Sequence, residues 1–270
     1  MNSLLKKYFE ESEYFSMKHE KYFAVYENIL TKYKNKKIRL VEIGIENGGS
    51  LYIWKKFLPD AEIIGIDLNP NCKKFEKDGF KIEIGDQNQI EFWDKFFKKY
   101  KNVDVIIDDG GHTNSQQITT LISCIPHIND DGVLLTEDVM CSYDKDFGNP
   151  SRYSFINFSK KLIDDINYKF PKVGNFKFSL NNFIYSIEFF ESIVVFKINR
   201  KLCYLNNTIT NNAKKENYKD LRYNFELKKL FKREIFIKYK IFRKINDLYK
   251  TFIIRSHNLK NSKKMKKYFR

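Results

Sequence analysis

A chain of 270 residues with 42% hydrophobic and 16% aromatic content can bury one α/β core with extensions, or two small ones. Its formal charge of +15 is uneven: residues 200–270 carry 22 Lys and Arg against 5 Asp and Glu, and the other 199 residues carry 27 against 29. The basic balance belongs to the tail and argues against a body built to bind nucleic acid.

Cys72, Cys124, Cys141 and Cys203 are scattered without C-x-x-C spacing, which disfavours a zinc knuckle or a disulfide framework and suits a reducing cytoplasm. The first ten residues lack the apolar core of a signal peptide, and no run approaches the ~20 apolar residues of a membrane span. A cytoplasmic protein is the expectation.

Taken in chain order, the first 36 residues read as a helical segment, with Tyr22, Phe23, Tyr26, Ile29 and Leu30 at helical spacing. From Lys37 the pattern turns to alternating strands and helices. Ile38–Ile43 is strand one, followed by a turn and a helix through Trp54 and Phe57. Glu62–Asp67 is strand two and Phe80–Ile84 strand three. A helix covers Gln89–Tyr100, strand four is Val103–Ile107, a helix runs Thr113–Cys124, and strand five is Gly132–Leu135. This alternation implies an α/β, doubly wound, mostly parallel sheet. After a loop over Asp144–Ser151, a helix is expected over Ser154–Tyr168. Phe183–Phe189 and Ile193–Ile198 then read as a terminal antiparallel hairpin. A composition shift after Asn199 sets the expected domains at 1–36, 37–199 and 200–270.

Strand one leads into Glu42-Ile43-Gly44-Ile45-Glu46-Asn47-Gly48-Gly49-Ser50. Glycines there permit a tight turn and let a ligand approach backbone at a helix N-terminus. The G-x-x-x-G-G spacing is not the G-x-G-x-x-G of dinucleotide folds, which disfavours an NAD site. Asp67 ends strand two, where it can accept from ribose hydroxyls, and Asp86 follows strand three, where it can receive an adenine amino group. Together they point to a nucleoside site. Further along, Val105-Ile106-Ile107-Asp108-Asp109-Gly110-Gly111-His112 and Val133-Leu134-Leu135-Thr136-Glu137-Asp138 are two apolar runs ending in carboxylates. Adjacent parallel strands of this kind deliver ligands to one sheet edge, where acidic groups can converge on a hard cation.

The chain at this point resembles class I S-adenosylmethionine (SAM)-dependent methyltransferases, which carry E/D-x-G-x-x-x-G at this turn and close a seven-stranded sheet with an antiparallel hairpin. Within them it is most similar to the metal-dependent sugar O-methyltransferases of the macrocin and mycinamicin type, with the cephalosporin-hydroxylase-like group related. The likeness spans roughly residues 18–198 and rests on V-E-I-G-x-x-N-G-G-S, G-I-D, I-D-D-G-x-H, and E-D-V followed by Ser142-Tyr143. It implies a metal on Asp109, Glu137 and Asp138, with His112 as the base. It implies cofactor contacts from Glu42, Gly44, Asn47, Gly48, Ser50, Asp67 and Asp86, with Asp108 on the cofactor side or holding the loop. Tyr143 and Arg152 are the expected acceptor contacts. Gly111 stands where Ser is common, and Asp144 follows Ser142-Tyr143 where an aromatic is usual.

These residue types suit methyl transfer to oxygen. A neutral alcohol is a weak nucleophile, and a divalent cation and a general base both strengthen it. An all-carboxylate set with neither Cys nor a second His favours Mg²⁺, or Mn²⁺, over zinc. The expectation is a SAM- and Mg²⁺-dependent O-methyltransferase for a sugar hydroxyl, in a nucleotide-linked sugar or a surface (capsule) polysaccharide precursor. A phosphorylated or phosphoramidate small molecule is the variant acceptor. A nucleic-acid methyltransferase is the weaker alternative, since no N/D-P-P-Y/F motif occurs, and a non-catalytic SAM-binding scaffold is the third. His127 and His257 read as structural or surface residues; His19 has no assigned role. In the tail, Leu227, Leu230, Phe231, Ile235, Ile241, Ile245, Leu248 and Phe252 recur among lysines at roughly helical spacing. Such a helix either lies on an anionic membrane at the inner face or packs on its own domain. The expected partners are a small-molecule or glycan acceptor and a second copy of the chain, with no specific nucleic acid.

Overall fold

The structure, a computed structural model, describes residues 3–147, 152–167 and 177–204, with scattered positions between 208 and 269. Contacts group the chain into two units, Met1–Asn207 and Thr208–Arg270.

Seven strands form one sheet: β1 (Arg39–Ile43), β2 (Glu62–Asp67), β3 (Lys81–Ile84), β4 (Val103–Asp108), β5 (Ile128–Thr136), β6 (Ile184–Phe190) and β7 (Ile193–Ile198). Their order is β3-β2-β1-β4-β5-β7-β6. The first five are parallel, and β7 runs antiparallel between β5 and β6. The order reverses at β1/β4, so a crevice opens beyond the carboxyl ends of those two strands.

The strands are near-continuous apolar runs because both faces are covered. Along β4 the side chains divide: Val105 and Ile107 join one core, Ile106 the other. The first core packs α1 (Leu4–Glu10), α2 (Tyr22–Leu30) and α3 (Gly49–Phe57), with Tyr26 edge-on to the buried Trp54. The second packs α4 (Ile90–Lys99), α5 (Asn114–Cys124) and α6 (Phe155–Ile166) through Trp93, Phe96, Leu121 and Phe155. Each such aromatic or leucine contributes about 1.5–3 kcal/mol on burial. The N-terminal residues thus belong to the core of the same unit as the sheet.

Two features differ from the periodicity reading. Strand five starts at Ile128, four residues before Gly132, because its polar opening is satisfied by neighbours. Asn129 Nδ2 donates to Asp104, the Arg200 amide to Asp130, and Tyr33 Oη to the Asp131 carbonyl. Asp131 adopts a left-handed φ of 65° beside a register shift in the pairing with β4. The expected helix Ser154–Tyr168 is Phe155–Ile166: Ser154 is its N-cap, accepting from the Asn157 amide, and Tyr168 lies outside the described residues. The segment between β2 and β3 is 3-10 over Pro70–Asp78, ended by Gly79.

Most of the expected amphipathic tail, from Leu227 to Ile245, lies outside the described residues; Leu248 and Phe252 are helical and exposed. No helix among the described residues is long and apolar enough to cross a membrane. All four cysteines are free thiols.

Candidate active site

The turn from β1 into α3 is tied to the ends of its neighbouring strands. Gly44 has φ +80°, and a Cβ there would lie 2.1 Å from the Asp109 carbonyl oxygen, so only glycine fits. Gly48, at φ +74°, caps α3 in a left-handed conformation. Asp67 Oδ2 accepts from the amides of Ile45 and Glu46 at 3.0 and 2.9 Å, and its Oδ1 from Asn69 at 2.8 Å. Asp86 Oδ1 accepts from the Asn88 amide at 2.8 Å, closing the turn before α4. Gly44, Asp67, Leu68, Asp86, Gln87 and Gly111 line one cleft across the ends of β1, β2 and β3.

The other residues expected on the cofactor side fall into two groups. Asn47 is exposed in the same turn. Glu42 and Ser50 lie beneath it: Glu42 is fully buried and accepts from Ser50 Oγ at 2.7 Å. Asp108 is buried below the cleft, its Oδ1 accepting from Gln87 Nε2 at 2.8 Å, and burial pushes its carboxyl up to about 7.

Beside this cleft stands the carboxylate and histidine group. Asp109 directly follows β4, and the loop carries His112 immediately before the α5 cap. Thr113 accepts from the Gln116 amide while the Gln116 side chain reaches back to the Thr113 amide, a capping box that fixes the loop's exit. Ligand atoms of Asp109, His112 and Asp138 lie within 4.8 Å of one another, and His112 Nε2 is 3.4 Å from Asp138 Oδ2. His112 Nδ1 is buried without a hydrogen-bond partner among the described residues, so Nε2 is the nitrogen that faces the carboxylates. His112, Asp138 and Glu46 each hold a left-handed φ without being glycine. Such backbone costs about 1–3 kcal/mol per residue and concentrates at functional sites.

Glu137 is fully buried, its backbone amide donating to the Asp108 carbonyl and its own carbonyl accepting from Gln117 Nε2. Burial, with the neighbouring Asp109, raises its carboxyl above the ordinary range, while Lys18 and the Tyr26 hydroxyl oppose that. Its Oε1 has no hydrogen-bond partner among the described residues.

Two residues of this site escape the sequence reading. Lys18 inserts its ammonium between the strand ends, 2.5 Å from Asp109 Oδ2 and 2.9 Å from Glu137 Oε2, with Glu42 Oε1 at 3.8 Å. Burial alone would lower the lysine, but Glu137, Asp109 and Glu42 outweigh it and hold the ammonium well above its usual range. Tyr22, read from periodicity as a core position, donates its hydroxyl to Asp138 Oδ1 at 2.5 Å and accepts from the Asp138 amide at 3.3 Å. Lys18 lies 91 residues from Asp109 and leaves no trace in spacing. The signal for Tyr22 was available: a tyrosine on a buried helical face needs a partner for its hydroxyl. His19, outside α2, stands 3.8 Å from Asp138 and is largely exposed.

The donor set fits a hard divalent ion. Oxygen ligands from two strand ends converge, Glu137 Oε1 is buried without a hydrogen-bond partner among the described residues, and an ammonium already stands among them as a cation. Tyr143 and Arg152 are not part of this group. Tyr143 is exposed at the end of the 3-10 turn Val139–Tyr143, and Arg152 lies over the Tyr153 ring.

No protein-family model matches the chain. Mycinamicin VI 2''-O-methyltransferase of Micromonospora griseorubida is 33% identical over 158 residues, 53% of this chain and 39% of that protein. Demethylmacrocin O-methyltransferase of Streptomyces fradiae is 28% identical over 156 residues, with the same coverage. This chain therefore matches about two-fifths of the length of those relatives. Among solved structures, the MycE methyltransferase from the mycinamycin biosynthetic pathway, in complex with Mg, SAH and mycinamycin VI, superposes with a TM-score of 0.64. It is 26% identical, over 73% of this chain and 53% of that one. The chain has the fold of the class I SAM-dependent methyltransferases, and within that fold it is similar to the sugar O-methyltransferases of the mycinamicin and macrocin type.

Proposed function

We propose that the protein is a SAM-dependent O-methyltransferase that acts on a sugar hydroxyl with a divalent ion, Mg²⁺ or Mn²⁺, in the carboxylate group. The observation that carries this reading is the convergence of Asp109, His112 and Asp138 beside a cleft holding Asp67 and Asp86. A nucleoside end and a hydroxyl-activating end thus share one crevice.

A divalent ion held by Asp109, Glu137 and Asp138 supplies Lewis acidity that makes an acceptor hydroxyl a better nucleophile. The chain's own residues do the rest. Asp67 and Asp86 receive the ribose and adenine donors of SAM. Gly44 and Gly48 keep the turn open to the cofactor, and α3 presents its amino end to it. His112 Nε2 faces the carboxylates and takes the hydroxyl proton, a role that contributes about 10²–10⁴-fold. Tyr22 orients Asp138 through its hydroxyl. Holding the two reactants in line contributes more than the proton transfer, with effective molarities of about 10⁵–10⁸ M.

The acceptor we favour is a sugar in a nucleotide-linked or surface-polysaccharide precursor, with a phosphorylated or phosphoramidate small molecule as the variant. The sugar O-methyltransferases among the relatives support the hydroxyl chemistry. The test is incubation with labelled SAM and three acceptor panels: nucleotide sugars, glycosides and oligonucleotides. Label on a sugar hydroxyl is expected; label on the oligonucleotides alone would refute the reading.

A further inference from the structure

The buried ammonium of Lys18 has no part in the chemistry just described, yet it occupies the centre of the site. Its side chain is 5% exposed, and a lysine so enclosed is rare unless paired. Its partners, Asp109 Oδ2 and Glu137 Oε2, belong to two of the three carboxylates that would hold a divalent ion. Mg²⁺ draws carboxylate oxygens to about 2.0–2.1 Å. An ammonium and a divalent ion sharing the same two oxygens would stand only a few ångströms apart, with like charge and little water between them.

The segment that carries Lys18 is suited to exchange. Residues 11–20 form neither helix nor strand between α1 and α2. They lie over the start of α3: the Tyr14 ring stacks on Tyr52 at 3.6 Å, and the Phe15 carbonyl abuts Gly49. Lys18 thus reaches the carboxylates from a strap of irregular backbone rather than from the sheet that supplies them.

We propose that Lys18 is a specificity-determining residue of the cation site: in the metal-free protein its ammonium fills the place between Asp109 and Glu137, and a divalent ion binds by expelling it. This rests on the metal-assisted reading above. The exchange replaces one positive charge by two among Glu42, Asp109, Glu137 and Asp138, so a monovalent ion gains nothing by it. Lys18 sets a threshold that only a divalent ion crosses, and its side chain leaves for solvent when the ion is in place.

Two measurements on the full chain with Mn²⁺ test this. In the first, lysines are acetylated at fixed pH in chelator or in Mn²⁺ and read by mass spectrometry. Lys18 should be protected in chelator and labelled in Mn²⁺. In the second, Mn²⁺ is titrated by calorimetry into wild type and Lys18→Met. Losing a competitor held by two charge-assisted bonds should tighten binding about 10-fold or more. Binding by Lys18→Met where wild type shows none would also support the exchange. If Lys18 stays protected while Mn²⁺ binds, or Lys18→Met binds no tighter, the exchange is overturned and the metal-assisted reading stands. If Mn²⁺ binds neither protein, both fall. Should the variant not fold, the acetylation pattern of wild type decides alone.

Discussion

Replacing Gly44 by alanine probes the joint between the cofactor turn and the carboxylate strand. The new methyl would lie 2.1 Å from the Asp109 carbonyl oxygen, and ordinary contact begins at 3.4 Å, so the two backbones must part by about 1.3 Å. The Asp109 amide, donating to the Ile43 carbonyl, holds them together, and the Gly44 amide, donating to the Ile66 carbonyl, fixes the turn to β2 on its other side, so the parting strains both bonds. A left-handed φ costs an L-residue about 1–2 kcal/mol, and each backbone bond lost about 0.5–1.5 kcal/mol more. Urea unfolding should therefore show a loss of about 2–5 kcal/mol. Moving Asp109 by about 1 Å should also cost on the order of 10²-fold in turnover, with weaker binding of both Mn²⁺ and SAM by calorimetry. Gly79→Ala is the control, since its φ is +88° and its Cβ would meet nothing within 4 Å. It should show the conformational cost without the binding loss. If Gly44→Ala matches Gly79→Ala in stability and keeps both affinities, the joint does not exist.

Three further outcomes are expected. Tyr22→Phe removes the hydroxyl that donates to Asp138 at 2.5 Å and should lower stability in urea by about 1.5–3 kcal/mol; an unchanged midpoint would show that this bond contributes nothing net. Asp108 is protonated more readily when folded, with its carboxyl near 7 against an ordinary 3.8, so the folded state binds the extra proton and stability falls as pH rises between those values. Asp108→Asn should remove up to about 4 kcal/mol of that decline between pH 4 and 7, and parallel stability–pH curves for variant and wild type would contradict the burial argument. His112→Ala should lower kcat about 10²–10⁴-fold with little change in SAM affinity, because the imidazole faces Asp138 rather than the cofactor cleft; near-normal kcat would make it a structural residue.

The sheet was legible because its strands are apolar runs bounded by turn residues. Glu62–Asp67 and Ile193–Ile198 agree with the sequence reading to the residue. Where strand five began early, the polar run Asn129-Asp130-Asp131 hid it, since its partners come from Asp104, Tyr33 and Arg200, far away in sequence. The site was legible as far as it lies on strand ends: Asp67, Asp86, Asp109 and Asp138 follow directly from the strands that carry them. The share of each carboxylate was not. Glu42 and Asp108 look equivalent to Asp67 in a string of letters, yet both are buried: Glu42 lies one residue inside the end of β1 against Ser50 of α3, and Asp108 packs against Gln87. Lys18 and Tyr22 come from outside the sheet and meet it only through tertiary packing.

The most direct test of the account is methyl transfer itself, measured with metal as the only variable. Purified chain, labelled SAM and an accepted sugar are assayed in EDTA, then with Mg²⁺ restored in excess, while SAM affinity is followed separately by calorimetry. Turnover should disappear in EDTA and return with Mg²⁺ while SAM still binds. Full turnover in EDTA would contradict the metal-assisted reading.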